Sequence, residues 1–337
     1  MAQAQLVAGV VGAAAVVFGY QQFFATPAEV APDYSRLTNR AFVFVKPHAA
    51  TDKTAELVSA QLKAKGMTVL SEGDISSKDI DEKKLIDQHY YAIASKATIL
   101  KPEEMNVPAD KFQEKFKTSW DAALKDGKVM NALDACKAMN IDAAQMAKLW
   151  GEAKKNNKLI KFGGGFYCAE IKGKYVFNGF FMEMRNAFTA PGKKIHYYDV
   201  EWDPTKMSWE HFRANFLGPT DPKEAPKDSL RGVVLQKWKE LGLAAEPNVG
   251  DNAVHASASP FEGLAERMNW LGVKCQDDQY CSSMVKAGIP ESVIEHWTRD
   301  PQVVISEDKK KKSLFDSLED LDAAPCMKKA QELAKWA

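Results

Sequence analysis

The apolar run Ala41-Phe-Val-Phe-Val45, between Arg40 and Lys46-Pro47, reads as a strand that ends on a lysine. Thr51 or Asp52 then caps a helix carrying Leu57, Val58 and Leu62, Gly66 closes it, and Met67 to Leu70 starts a second strand. Lys83 to Ala94 continues as a helix. Asp110 to Lys125 and Met130 to Lys154 carry apolar residues at helical spacing, Phe112, Phe116, Trp120 and Leu124 and then Leu133, Cys136 and Met139, which read as core faces. Gly163-Gly164-Gly165 lacks both the Lys-Ser/Thr of a P-loop and the spacing of a dinucleotide fingerprint, so it reads as a bend before a hairpin at Lys172-Gly173-Lys174. Ile195 to Trp202 alternates His196, Tyr198 and Val200 on one face of a strand. A last strand reaches His255, with a helix after it. Strands and helices in this order predict an α+β fold, a ferredoxin-like β-α-β-β-α-β antiparallel sheet with helices on one face, plus a mainly helical insertion and a C-terminal extension.

The first 25 residues change that picture. No charged side chain occurs before Glu29, and Leu6 to Tyr20 is unbroken apolar and small. Residues 6–25 would cover about 30 Å as a helix, enough for a single membrane anchor. A signal-peptide core and a tail buried in an assembly are the other readings. The missing basic region argues against cleavage, and the missing arginine argues against a mitochondrial presequence. Residues 26–39, with Pro27 and Pro32, form a linker to a folded domain over 40–272 with an insertion at about 97–176, and 273–337 extends beyond it. The chain is expected at a membrane, with mitochondrial, plastid and ciliary settings all compatible.

Lys+Arg and Asp+Glu number 45 each, so no global basic field points to nucleic acid. Five cysteines without paired C-x-x-C spacing read as mostly free thiols and no zinc site; Cys275 and Cys281 enclose a short polar loop and would pair in an oxidising compartment. Lys309 to Lys312 reads as a solvated charge run.

The chemistry gathers at Asp251 to Gly272. His255 stands at a strand end before a helix that Ser257 or Ser259 can cap and Pro260 can open. Helix N-termini favour anions, and Glu266, about three turns along, can return its carboxylate to the ring and select which nitrogen is free to attack. With Lys46-Pro47, His89-Tyr90, Gly218-Pro-Thr220 and Leu230-Arg231-Gly232 upstream, the N-x-x-H-x-S-x-S run resembles the nucleoside diphosphate kinase family.

The resemblance implies that His255 is a phosphohistidine nucleophile supported by Glu266 and Ser257. It further implies that Lys46, Tyr90, Thr220, Arg231 and Asn252 hold phosphates and ribose, and that Phe180 and Met184 clamp the base. The substrates it implies are nucleoside di- and triphosphates, with Mg2+ carried by the nucleotide and no dedicated metal ligands. The family's phosphate-binding arginine aligns with Ala214, one place from Arg213. His48 replaces the usual aspartate, and Ala256 and Ala258 replace a glycine and an aspartate. About eighty extra residues precede Phe180 and about ten precede Asn252, the latter in a loop that in the family builds subunit contacts. Two functional readings follow: an active kinase, or a kinase-like structural subunit of a larger membrane or ciliary assembly. A protein-histidine kinase using the same His255 ranks below both.

Overall fold

The computed structural model describes Tyr34 and residues 36–337, so the predicted membrane segment at 6–25 lies outside the described residues. Among the described residues no helix is long and apolar enough to cross a membrane. The architecture is mixed α+β. Strand β1 (Asn39–Val45) is buried on both faces, with Phe42 and Phe44 in one apolar cluster and Ala41, Val43 and Val45 in another. That explains its near-continuous apolar run, which a strand covered on one face only would not need.

β1 lies inside a four-stranded antiparallel sheet with β2 (Thr68–Ser76), β7 (Lys194–Trp202) and β8 (Val254–Ala256), in the order β2-β7-β1-β8. Register sets Val43 opposite Ala256 and Phe44 opposite His255, which fixes the height of His255 on the sheet. The helix Asp52–Ala64 starts where expected, with Thr51 accepting the Thr54 N–H as its cap, and it turns Val58 and Leu62 into the core. The helix Pro260–Leu271 is capped by Ser259 and ended by Gly272 in the left-handed region. Gly263 lets this helix lie close on β1, since a Cβ there would stand 2.5 Å from the Arg40 carbonyl oxygen.

The insertion holds more than helices. Its helices Ala109–Phe116, Trp120–Lys125, Ala132–Met139 and Ala143–Lys155 accompany a second sheet, built of β3 (Val129–Asn131), β4 (Leu159–Gly163), β5 (Phe166–Ile171) and β6 (Lys174–Phe177) in the order β3-β6-β5-β4. The mainly helical description is corrected to that extent. Only the β3-β6 pair is parallel. Gly164-Gly165 turns β4 into β5, in keeping with the bend read from the sequence. The single helix expected over 110–125 is broken at Lys117, whose φ is 57°.

The end of the predicted linker and the residues after Val273 share one core. Tyr34 and Leu37 pack with Phe261, Leu264, Trp297 and residues of the helix Ala323–Ala334. Cys275 and Cys281 form a disulfide, whereas Cys136, Cys168 and Cys326 are free and buried; the expectation of mostly free thiols holds for those three only. Beside that disulfide the Arg267 guanidinium, fully buried, donates from Nε and Nη2 to Asp278 Oδ2 at 3.1 and 2.8 Å and from Nη1 to the Arg40 carbonyl at 3.0 Å.

Candidate functional site

The short strand β8 presents His255 between Val254 and Ala256, which are buried, and the helix after it returns Glu266 to the ring. His255 Nε2 lies 2.6 Å from Glu266 Oε1, while Ser257 Oγ donates to Glu266 Oε2 at 2.5 Å and accepts the Phe42 N–H at 2.9 Å. Both carboxylate oxygens are therefore committed. With the proton on Nε2 donated to Glu266, the Nδ1 lone pair is free. The ring stacks on Phe44 at 4.6 Å between centroids and meets His89 edge-on at 4.7 Å.

Burial pushes the Glu266 carboxyl up to about 7, against the opposing pull of His89, the Ser257 hydroxyl and Arg267. Burial, then the charges of Lys46, Arg231 and Arg213, hold the His255 imidazole well below its ordinary value, so it is neutral near pH 7. A neutral imidazole near cations is a nucleophile suited to an electrophile that carries negative charge. Lys46 is lowered to about 8, first by burial and then by Arg231, with Asp251 opposing.

A cavity of about 560 Å³ is lined by Lys46, Tyr90, Phe180, Met184, Lys193 and Asp251, among others. Phe180 is set there by Trp150 and Tyr167, with ring centroids 5.8 and 5.6 Å away. Tyr90 also lines a second cavity, of about 530 Å³, with His89, His255 and Glu266. Burial, with Glu266 and Glu262 nearby, pushes its phenol up to about 12. Tyr90 reaches both because the helix expected over 83–94 is interrupted there, between Leu85–His89 and Tyr91–Ala94.

The remaining sequence-derived residues are not all free for a ligand. Arg231 donates from Nε and Nη2 to the Val254 carbonyl, at 3.1 and 2.9 Å, and from Nη1 to the Gly218 carbonyl at 2.9 Å, so it braces the strand that holds His255. Asn252 Nδ2 donates to the Thr220 carbonyl at 3.1 Å, and its buried Oδ1 has no partner among the described residues. Thr220 itself is exposed. Arg213 Nη1 is taken by Glu319 Oε1 at 2.6 Å and Asp320 Oδ1 at 2.7 Å, both from the C-terminal part of the chain.

Sequence reasoning assigned no role to His89, Glu262 or His48. His89 Nδ1 lies 3.3 Å from Glu266 Oε1, and the sequence had marked it only as part of the His89-Tyr90 pair. His48 Nε2 accepts the Ala253 N–H at 3.1 Å and its Nδ1 lies 3.3 Å from Asp251 Oδ1, bracing a turn in which Ala253 takes φ 67°. A left-handed alanine directly before β8 is strained backbone held by its surroundings.

No protein-family model matches this chain, and no curated protein matches it. The solved structures to which it is similar include nucleoside diphosphate kinases. That of Encephalitozoon cuniculi, in an apo form, is 14% identical with a TM-score of 0.35, over 70% of this chain and 90% of that one. That of Aquifex aeolicus is 13% identical with a TM-score of 0.35, over 69% and 95%. That of Pyrobaculum aerophilum is 16% identical with a TM-score of 0.33, over 69% and 96%. Likeness of this degree establishes neither family membership nor activity, and the case for function rests on the side chains.

Proposed function

We propose that the chain transfers phosphoryl groups from nucleoside triphosphates to nucleoside diphosphates through a phosphohistidine at His255. The observation that carries the reading is the His255–Glu266–Ser257 chain, which orients a neutral imidazole with Nδ1 bare beside cationic side chains. In the first half-reaction the Nδ1 lone pair attacks the terminal phosphorus, and the bond to the bridging oxygen breaks with its electron pair leaving on the diphosphate. In the second, a terminal oxygen of another diphosphate attacks the phosphohistidine and restores the ring. Magnesium enters with the nucleotide as part of the substrate.

Lys46 supplies charge to the phosphates, and Phe180 and Met184 offer an apolar face to the base. Arg231 contributes field and bracing more than direct contact. The strand order β2-β7-β1-β8, with one helix between β1 and β2 and helices between β7 and β8, is consistent with a ferredoxin-like sheet and supports the reading. Residues 6–25 are proposed as the membrane attachment. The test is a label and chase on the full-length protein. Acid-labile, alkali-stable label taken from a γ-labelled triphosphate and released to an unlabelled diphosphate supports the transfer, whereas folded protein that binds nucleotide and never takes label defeats it.

The pH profile of kcat/KM for that reaction is expected to be bell-shaped with its maximum between about 7 and 8. Glu266, raised to about 7, must be ionised to accept from Nε2, so the rate falls as pH drops through that value. Lys46, lowered to about 8, must be charged to hold phosphate, so the rate falls again as pH rises through that value. A profile flat from pH 6 to pH 9 would detach both groups from the step.

One observation favours the structural-subunit reading, the capture of Arg213 by Glu319 and Asp320. If Arg213 serves phosphate, the double variant Glu319→Gln/Asp320→Asn frees it, and KM for the nucleotide is expected to fall roughly fivefold, equivalent to ~1 kcal/mol. An unchanged KM would leave Arg213 a strap to the C-terminal segment.

A further inference from the structure

We propose that His89, His255 and Glu266 form a binding site for a divalent transition-metal ion of the zinc type, reached through the second cavity. The inference shares two residues with the proposed phosphoryl transfer, but metal binding itself does not depend on that reading. His89 Nδ1, His255 Nε2 and Glu266 Oε1 all lie within 4.8 Å of one another. Two imidazole nitrogens and one carboxylate oxygen, with a further position open to water, are a donor set that zinc takes in hydrolytic enzymes.

Hydrogen bonding shows which way the donors face. The Trp270 indole N–H donates to His89 Nδ1 at 3.4 Å, so that nitrogen is the lone-pair side of a neutral ring. The same nitrogen lies 3.3 Å from Glu266 Oε1, so a cation between the two would take its lone pair from the long Trp270 contact.

Ligand atoms around a tetrahedral zinc, each about 2.0–2.1 Å from the ion, stand roughly 3.3 Å apart. The His89–Glu266 separation already has that value. The 2.6 Å His255–Glu266 contact has to open by about 0.7 Å, giving up its hydrogen bond. Ser257, donating to the other carboxylate oxygen, keeps Glu266 oriented while it ligates.

The cavity of about 530 Å³ that exposes these atoms carries charges of both signs at its wall, the carboxylate of Glu295 and the guanidinium of Arg299, while burial holds the Glu262 carboxyl well above its usual range. Water in the cavity supplies the fourth ligand. The positive charge of Lys46, Arg231 and Arg213 near His255 opposes the ion and sets a limit on affinity.

Binding has a chemical consequence at the ring. When the metal replaces the proton on Nε2, the neutral imidazole carries its proton on Nδ1, the nitrogen that must be bare to accept a phosphoryl group. Metal and phosphoryl group then exclude each other at His255.

The experiment is a titration of the full-length protein with zinc chloride in competition with a chromophoric chelator. Binding of one equivalent with Kd of about 1 μM or lower is expected, weakened at least about tenfold in each of His89→Gln, Glu266→Gln and His255→Gln. The last of these is the least buried and guards against loss by misfolding, which circular dichroism checks. No binding, or binding indifferent to all three substitutions, overturns the site. Zinc bound by protein that never takes phosphoryl label sustains the metal site and sinks the transfer. Label transfer by protein that binds no zinc does the reverse.

Discussion

The His255→Ala protein is expected to take no acid-labile label from a γ-labelled triphosphate, with phosphoryl transfer lower by at least about ten-thousandfold. The size of the effect follows from the absence of a substitute among the neighbours. His89 is the other imidazole at hand, but it is buried, its Nδ1 accepts the Trp270 N–H, and its ring stands edge-on to the His255 ring. Glu266→Gln separates orientation from nucleophile. The amide keeps the shape and loses the negative charge that stabilises a proton on Nε2, so transfer should fall about a hundredfold or more while label, once on the ring, remains acid-labile. Label of unchanged amount in His255→Ala would move the nucleophile elsewhere and end the proposed mechanism.

The largest effect on stability is expected at Arg267→Met. Asp278 loses the two donors that pair its carboxylate, and an uncompensated charge remains in a fully buried place. Breaking one side of a buried pair costs about 3–5 kcal/mol. Arg40, with Nη1 3.5 Å from Asp278, softens the loss without replacing the geometry. The double variant Arg267→Met/Asp278→Asn should recover part of it. The asparagine oxygen can still accept from the Tyr280 and Cys281 N–H groups that Asp278 caps, and no charge is left stranded. Urea denaturation midpoints of the single and double variants measure both. A single variant within 1 kcal/mol of the parent would mean that water reaches Asp278.

What was legible in the sequence was written in local periodicity and caps. The apolar run of β1, Thr51 before its helix, the alternation ending at Trp202, and Ser259-Pro260 opening the last helix of the site each carry their signal within a few residues. The nearness of His255 to Glu266 was readable too, because eleven residues of strand end, turn and helix leave little freedom. The second sheet was not, since β3 is three residues long and pairs with a strand more than forty positions away. Nor was the interruption at Tyr90, where no glycine or proline stands and tertiary packing overrides helical propensity. Ala253 and Lys117 take positive φ against their own preference, which only their surroundings explain. The capture of Arg213 joins residues more than a hundred positions apart and has no sequence signature.

The seam at the start of β1 bears on how the protein is made. Asn39 donates to Asp322 Oδ1 at 2.7 Å and accepts the Ala323 N–H at 2.9 Å, Asp322 Oδ1 also accepts the Trp209 N–H at 2.7 Å, and the Asp320 N–H reaches the Ala258 carbonyl at 3.0 Å. The start of β1 is thus sealed by a segment translated some 280 residues after it. Synthesis runs from the N-terminus, so the buried amide of Asn39 waits through some 280 residues of elongation before its partner exists. This core closes only once Asp322 has been made, and a nascent chain halted before it would leave the Asn39 amide without the partners it has here.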